Sequence, residues 1–473
     1  MTPSDEQSPY DATPTQALTT LAAHDGPIVV DLDETLYLRN STSDFLSSAR
    51  PALLAFVLVK LVEIVKPWRL FGRSDAARDA WRVRVLLVCM PWTIARWRRQ
   101  AVNVGKYSLN EPLADRIRES GQSVYVSTLG FQPIVEPLVQ GFGLNGVTVV
   151  AMDPWRSGDR ERGKLALTAD AVGEQDLARS AVVTDSLADR ELLDASAVPL
   201  RVVWPDASPG ETFGRVYYPG RYLTQVKRPG GRYVRKILKE DIALWILCTV
   251  WVAENPFTDT IGLLLLALSF WAVYETGYVD NDLIAHKHEE DPALTDEFRR
   301  RKVTFPAWVP LVWAAAAGAV GVVVARLPSS PSLLDFLLWA LVIWVSLGVF
   351  RVYNRLDKGT RILLFPVLQL LRTAAFVVIV PTVPIAILAI ALHVMVRWVS
   401  YYVYRTVPGG WPGGAELPVV RLVAFVSLGL LLASQLGWSV LWSATTLSLL
   451  AWHLFLARRE LPAAIANAHR IDR

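Results

Sequence analysis

The sequence predicts an α/β domain with a parallel sheet and a helical cap, followed by an all-α polytopic membrane domain of about eight or nine helices. Three observations predict it. Short runs of isoleucine and valine end in acids or hydroxyls at IVVDLDET (28–35), SVYVSTLG (123–130) and AVVTDSLAD (181–189), the pattern of buried strands that present polar groups at one edge of a sheet. From about residue 241 the chain becomes a succession of long apolar runs. At 473 residues, 52% hydrophobic and with 18 Trp, it is too long for one ordinary domain and too apolar for a purely soluble one.

The first strand delivers Asp31 and Asp33, then Thr35, at its C-terminal end, where open α/β sheets bind ligands. Two aspartates at this spacing suit phosphoryl transfer. One attacks phosphorus and carries an aspartyl-phosphate, and the other protonates the leaving oxygen and later activates water. A phosphate near two acids requires cations, and Mg²⁺, a hard ion that takes carboxylate oxygens, meets that need. The chemistry therefore demands a hydroxyl, a lysine and further acids downstream. They follow in order: Ser127 and Thr128, then Lys164 in RERGKLALTADAV (160–172), then Asp185 and Asp189.

These four motifs resemble those of the haloacid dehalogenase-like phosphatases: DxD, a strand-end Ser or Thr, a Lys and an acid pair. The resemblance covers residues 26–205 and implies a Rossmann-like fold. It makes Asp31 the nucleophile and Asp33 the acid/base. Ser127, or alternatively Thr128, and Lys164 hold the phosphate. Mg²⁺ is held on Asp31, Asp33 and Asp185, with Asp189 in support.

Residues 1–25 are polar, lack a basic-then-apolar signal segment and predict a disordered tail. The two cysteines, Cys89 and Cys248, form no disulfide framework and give no sign of an oxidising compartment. The segment between the first two motifs far exceeds one crossover, and by the same resemblance an insertion there, over about 36–110, is a cap. Its apolar runs at 51–65 and 83–100 are flanked by Arg82, Arg84, Arg96, Arg98 and Arg99. Each is short of the ~20 residues that cross a bilayer. Two helices of this kind either pack on each other or lie in the membrane interface with arginines against anionic headgroups.

Residues 206–240, rich in Gly, Pro, Tyr and cations, predict a basic linker reaching a membrane surface. Eight apolar helices follow, at 241–255, 258–279, 306–326, 332–350, 361–380, 382–404, 419–436 and 438–457, with a tail from 461. Cations crowd every even connection: Arg299 to Lys302; Arg351, Arg355, Lys358 and Arg361; Arg397, Arg405 and Arg421; Arg458 and Arg459. The positive-inside rule then predicts an integral inner-membrane protein with the α/β domain and both termini cytoplasmic.

The second of these helices ends in ETGYVDNDLIAHKHEED (275–291), whose acids at one membrane mouth need cations or a cavity. Here residues 235–460 resemble the UbiA family of membrane prenyltransferases. Asn281 and Asp282 stand where its leading ND would stand, Ala285 takes the place of the next aspartate and Glu289 approximates the last. The family's second motif, DxxxD, has no counterpart in VRWVSYYVYRTVPGGWPGGAELP (396–418). The acids predict a Mg²⁺–diphosphate site of Glu275, Asn281 and Asp282, to which the intramembrane polar residues Arg351, Asn354 and Arg372 add a cavity, with Asp282 as metal ligand. Arg372, mid-helix, predicts an acidic partner, for which Glu275 is the choice. His453 predicts a hydrogen-bonded core residue.

Together these readings predict a bifunctional membrane enzyme, a Mg²⁺-dependent phosphohydrolase coupled to a prenyl or polyprenyl-phosphate transferase, acting on an isoprenoid or polyprenyl-phosphate lipid. The alternatives are a prenyltransferase with a regulatory α/β domain, or a phosphatase on a lipid-binding anchor. Basic aromatic surfaces for nucleic acid, GxGxxG and cysteine metal clusters are absent from the sequence.

Overall fold

The computed structural model describes residues 8–70, 77–156, 158–290, 292–300, 305–408 and 417–466. They form two compact units, divided between Val216 and Tyr217.

The first unit holds five parallel strands, β1 (Ile28–Asp31), β2 (Val124–Phe131), β3 (Val147–Met152), β4 (Ala181–Thr184) and β5 (Val198–Arg201), in the order β3-β2-β1-β4-β5. Side chains alternate along a strand, so Ile28 and Val30 of the central β1 enter one apolar core while Val29 enters the core on the opposite face. Such doubly covered strands read as continuous apolar runs, the pattern seen in the sequence.

Helices α1 (Pro14–Ala22), α2 (Ser41–Ser48), α3 (Ala52–Val65), α4 (Pro67–Leu70), α5 (Arg78–Cys89), α6 (Trp92–Tyr107), α7 (Glu111–Ser120), α8 (Gln132–Gly141) and α9 (Asp159–Val172) complete the frame. The expected disordered tail carries a helix, α1, in its described part. Thr13 and Gln16 form a capping box, Pro14 sits at the first turn, and Ala17 and Leu21 enter the larger core. Residues 1–7 lie outside the described residues.

The second apolar run of the cap, expected as one helix over 83–100, breaks at Met90 and Pro91 into α5 and α6, because proline cannot continue a helix. The two pieces then differ in role. Trp97 of α6 donates its indole N–H to the carbonyl of Ile134, 2.9 Å away on α8. Gly105 and Gly141 let the two helices meet backbone to backbone. A Cβ on Gly105 would stand 2.7 Å from the Leu138 carbonyl oxygen, and one on Gly141 would collide with the backbone of Val102. Thus α6 belongs to the core, and the α3–α5 hairpin is the part that overhangs the sheet edge.

The expected linker at 206–240 is folded and divides between the units. Phe213 enters the first core, while Tyr217, Tyr222, Leu223, Val226 and Ile237 are buried in the second unit. Apolar and aromatic side chains interleaved with the cations account for this.

Among the described residues the second unit has six helices long and apolar enough to cross a membrane: Pro256–His288, Trp308–Ala325, Leu333–Arg355, Arg361–Val378, Pro384–Thr406 and Leu417–Leu436. Of the eight expected, the outer two fall short. The run at 241–255 forms a seven-residue helix, Ala243–Thr249, after a π turn, and the run at 438–457 forms a 3₁₀ turn and a helix of 14 residues, Ala444–Ala457. The first span, by contrast, continues through the acid-rich stretch for 33 residues. The expected tail begins as a short helix, Leu461–Ala466, and Asp291, Arg301, Lys302 and 467–473 lie outside the described residues.

The α6–α8 seam admits no side chain. Gly141→Ala is expected to destabilise the first unit by about 1–3 kcal/mol, the usual cost of overpacking. Urea unfolding of the purified protein followed by tryptophan fluorescence measures it, and an unchanged midpoint would show that the seam yields without cost.

Candidate active site

Alternation along β1 turns Asp31 to the same side as Val29, towards α9. That helix is interrupted at Gly163, whose φ of 81° favours glycine, so Lys164 opens its longer second part and reaches back to the strand end. Its ammonium lies 2.7 Å from Asp31 Oδ1 and 2.6 Å from Asp189 Oδ2. Thr184, the last residue of β4, places its hydroxyl 2.6 Å from Asp189 Oδ2 and 3.2 Å from Asp31 Oδ2. The backbone N–H of Leu32 donates to Asp31 Oδ1 at 2.8 Å. Lys164 and Asp189 are buried, so each charge depends on the others. Burial raises the Asp31 carboxyl to about 6 against the pull of the Lys164 ammonium. Burial also works against charge on Lys164, but Asp31 and Asp189 outweigh it and hold the ammonium above its ordinary value.

Beyond the strand Glu34 adopts φ 62° and the chain doubles back, with the N–H groups of Leu36 and Tyr37 on the carbonyls of Asp31 and Leu32. Asn110 fastens this loop by donating to the Thr35 carbonyl at 2.9 Å. Asp33 accepts the backbone N–H of Ser41, at the first turn of α2, at 2.7 Å and its hydroxyl at 3.2 Å. Burial pushes its carboxyl up to about 7, a value at which it holds a proton near neutrality. Asp185 stands 3.4 Å from the Thr35 hydroxyl, and burial, then the neighbouring Glu34 charge, raises it.

The two candidates for the strand-end hydroxyl point opposite ways. Ser127, in register with Asp31, faces α9 and shares a 2.6 Å hydrogen bond with Thr168. Thr128, one residue on, lines the crevice with Asp31, Asp33 and Lys164. Of the two expected hydroxyls, Thr128 is the one that lines the crevice, while Ser127 is engaged by Thr168. The crevice encloses about 460 Å³, a size suited to a small ligand. Its overhang carries Arg78 and Arg82 of α5, which sequence reasoning did not single out as site residues. Arg82 pairs with Asp79 at 3.0 Å and with Glu63 of α3 at 3.2 Å.

The expected four-carboxylate metal set is not assembled. Asp33 is engaged by Ser41 and Asp189 by Lys164, and among the described residues no group of three or more His, Cys, Asp or Glu side chains is placed to hold a metal. Asp31, whose Oδ1 is taken by Lys164 and the Leu32 N–H, keeps Oδ2 beside the Thr184 hydroxyl as a hard oxygen donor, and Asp185 is the other. One or two carboxylates with water and substrate oxygens fit Mg²⁺, which keeps much of its hydration shell.

In the second unit Glu275, Asp282, Asn354 and Arg372, expected at a diphosphate site, are each engaged within the chain. Glu275 accepts the Tyr217 hydroxyl at 3.0 Å and the N–H groups of Gly220 and Leu223 at 3.0 and 2.8 Å. Asp282 is bound by the Tyr222 hydroxyl at 2.9 Å and by Lys227. Both acids thus hold the folded segment that precedes the spans. Asn281 is half-buried and Arg351 exposed. Asn354 donates to the Gly277 carbonyl at 2.9 Å and to Asp280 at 3.1 Å. Glu289 is paired with Arg361 and Lys358.

Arg372 is buried against Asp241 at 2.5 Å, not against Glu275 as expected. Asp241 also receives Arg397 at 2.8 Å, and Arg397 reaches Glu240 at 2.9 Å. Sequence reasoning missed this pair of acids; the signal was KED (239–241) at the head of an apolar run, which fell at the junction of linker and first helix. His453 is buried as expected, but its Nε2 has no hydrogen-bond partner among the described residues and its ring packs on Phe425 and Trp452.

Residues 28–194 match the family model of haloacid dehalogenase-like hydrolases. The first unit therefore carries a hydrolase domain of that kind, joined to a helical membrane region. No curated protein and no solved structure matches the chain.

Truncation of Arg372 leaves Asp241 short of its closest guanidinium. Arg372→Leu is expected to lower stability by about 3–5 kcal/mol. Thermal inactivation in detergent, read as loss of the monodisperse peak on size exclusion, tests this, and a wild-type profile would mean that Arg397 alone suffices.

Proposed function

We propose that the first unit is a Mg²⁺-dependent phosphatase acting on a phosphomonoester borne by a membrane lipid, a phosphorylated isoprenoid or polyprenyl-linked lipid being the class that the membrane helices favour. The observation that carries the reading is the meeting of Asp31, Asp33, Thr128 and Lys164 around one crevice at the strand ends. Asp31 attacks phosphorus and the ester oxygen leaves with the proton of Asp33. The aspartyl-phosphate so formed is hydrolysed by a water that gives its proton back to Asp33, releasing inorganic phosphate. Lys164 and Thr128 hold the phosphoryl oxygens. Mg²⁺ on Asp31 and Asp185 would offset the charge that brings phosphate and carboxylate together.

The basic connections between spans support a cytoplasmic position for this domain in the inner membrane. Prenyl transfer by the membrane unit is not part of the reading, since Glu275 and Asp282 already have partners within the chain.

The purified full chain should release phosphate from an aryl phosphate with Mg²⁺, stop when the metal is chelated and recover when it is restored. Asp31→Asn should cost about a thousandfold or more in kcat. Equal background release by wild type and Asp31→Asn would end the proposal. Thr128→Ala should cost about a hundredfold, whereas Ser127→Ala should stay close to wild type; the reverse order would return the hydroxyl role to Ser127.

A further inference from the structure

The hydrolytic chemistry leaves one surface of the overhang unexplained. On α3, Leu54, Val57, Leu61, Ile64 and Val65 are 41–75% exposed. At about 100° per residue these positions fall within about a third of the helix circumference. The opposite side of the helix buries Ala55 and Val59 in the domain core. The apolar stripe therefore stands outside the packing that holds α3 in place. It continues past the helix end to Leu70, which is also exposed.

Charge accompanies the stripe. Arg50 precedes the helix, Lys60 borders the stripe, and Lys66 and Arg69 follow it, against the single acid Glu63 over residues 50–70; all four cations are exposed. Glu63 is occupied by Lys60 at 2.6 Å and by Arg82 at 3.2 Å. Trp92, at the start of α6, is exposed and donates its indole N–H to the Arg50 carbonyl at 2.7 Å, so an amphipathic ring stands at the same end as Arg50. Apolar stripe, cations along its border and a tryptophan at its end are the parts of a helix that lies in a bilayer interface. A bilayer is at hand for it, because among the described residues of the same polypeptide six helices are long and apolar enough to cross one.

We propose that α3 is an interfacial docking surface for an anionic lipid bilayer, with the stripe among the acyl chains and Arg50, Lys60, Lys66 and Arg69 at the headgroups. The contact is set apart from the catalytic groups, and it stands whether or not the domain is a phosphatase. Its structural consequence runs through Glu63, whose partner Arg82 lines the crevice. One ion pair therefore separates a helix seated in the lipid surface from the cavity, so docking brings the crevice to headgroup level.

The test uses the full chain reconstituted in vesicles of phosphatidylcholine, with or without a third of phosphatidylglycerol. Cys89→Ser removes the exposed native thiol, and Cys248 is buried. Val57→Cys, Leu61→Cys and Ile64→Cys each carry an environment-sensitive fluorophore, and Gln175→Cys, at another exposed site of the same unit, is the control. Doxyl-labelled lipid should quench the three α3 labels severalfold more than the control, and aqueous iodide should quench them less. Quenching by lipid should be weaker without phosphatidylglycerol. Labels quenched by iodide but not by lipid would show a solvated face, and labels shielded from both a face covered by protein; either result overturns the proposal. Equal lipid quenching in the two mixtures overturns the role given to the cations.

Discussion

An ammonium buried between two carboxylates holds the hydrolase crevice together. Lys164 comes from the broken start of α9, Asp31 from β1 and Asp189 from the turn after β4. None of the three could be buried in charged form alone, since the cost of taking an isolated ion out of water exceeds what one domain can absorb. Their mutual placement thus ties three chain segments to one point at the sheet edge. At the strand end this sets one ammonium against Asp31, Asp189 and the nearby Asp185, with Arg78 and Arg82 of the overhang paired to Asp79, an electrostatic deficit that a divalent cation would redress.

The membrane unit follows the same rule with different partners. Its acids are not an open cluster at a mouth. Glu275 and Asp282 bind the Tyr217–Lys227 segment to the first span, and Glu289 binds the connection at 358–361. Asp241 gathers guanidinium groups from the fourth and fifth spans. In a low-dielectric setting each such pair fixes which helices adjoin, because a wrong neighbour would leave a charge bare.

Much of the hydrolase half was legible because its signals are local. Apolar runs ending in acids mark the strand ends whatever the rest of the chain does, and the sheet bears them out. Ser127 and Thr128 were harder. Both lie within β2, and only the pairing register with β1 decides which faces α9. The N-terminal helix was legible in principle from Thr13, Pro14 and Gln16, but overall polarity concealed it, as it concealed the two buried residues that dock it. Run length misled in the membrane half, where a 3₁₀ turn over Trp438–Trp442 takes up the start of the last apolar run. Arg372 and Asp241 are 131 positions apart, and nothing local in either segment names the other.

The close approach of α6 and α8 at Gly105 and Gly141 bears on how this insertion could be exchanged between proteins. An insertion of this kind is commonly pictured as a cassette, joined to its host at two hinges and free to be replaced whole. Here its last helix is fused to the host, backbone against backbone. A chimera that took everything between the first and second strands from a relative would have to bring a matching α8 with it. A graft confined to the α3–α5 hairpin would leave that junction intact and exchange only the surface that overhangs the cavity.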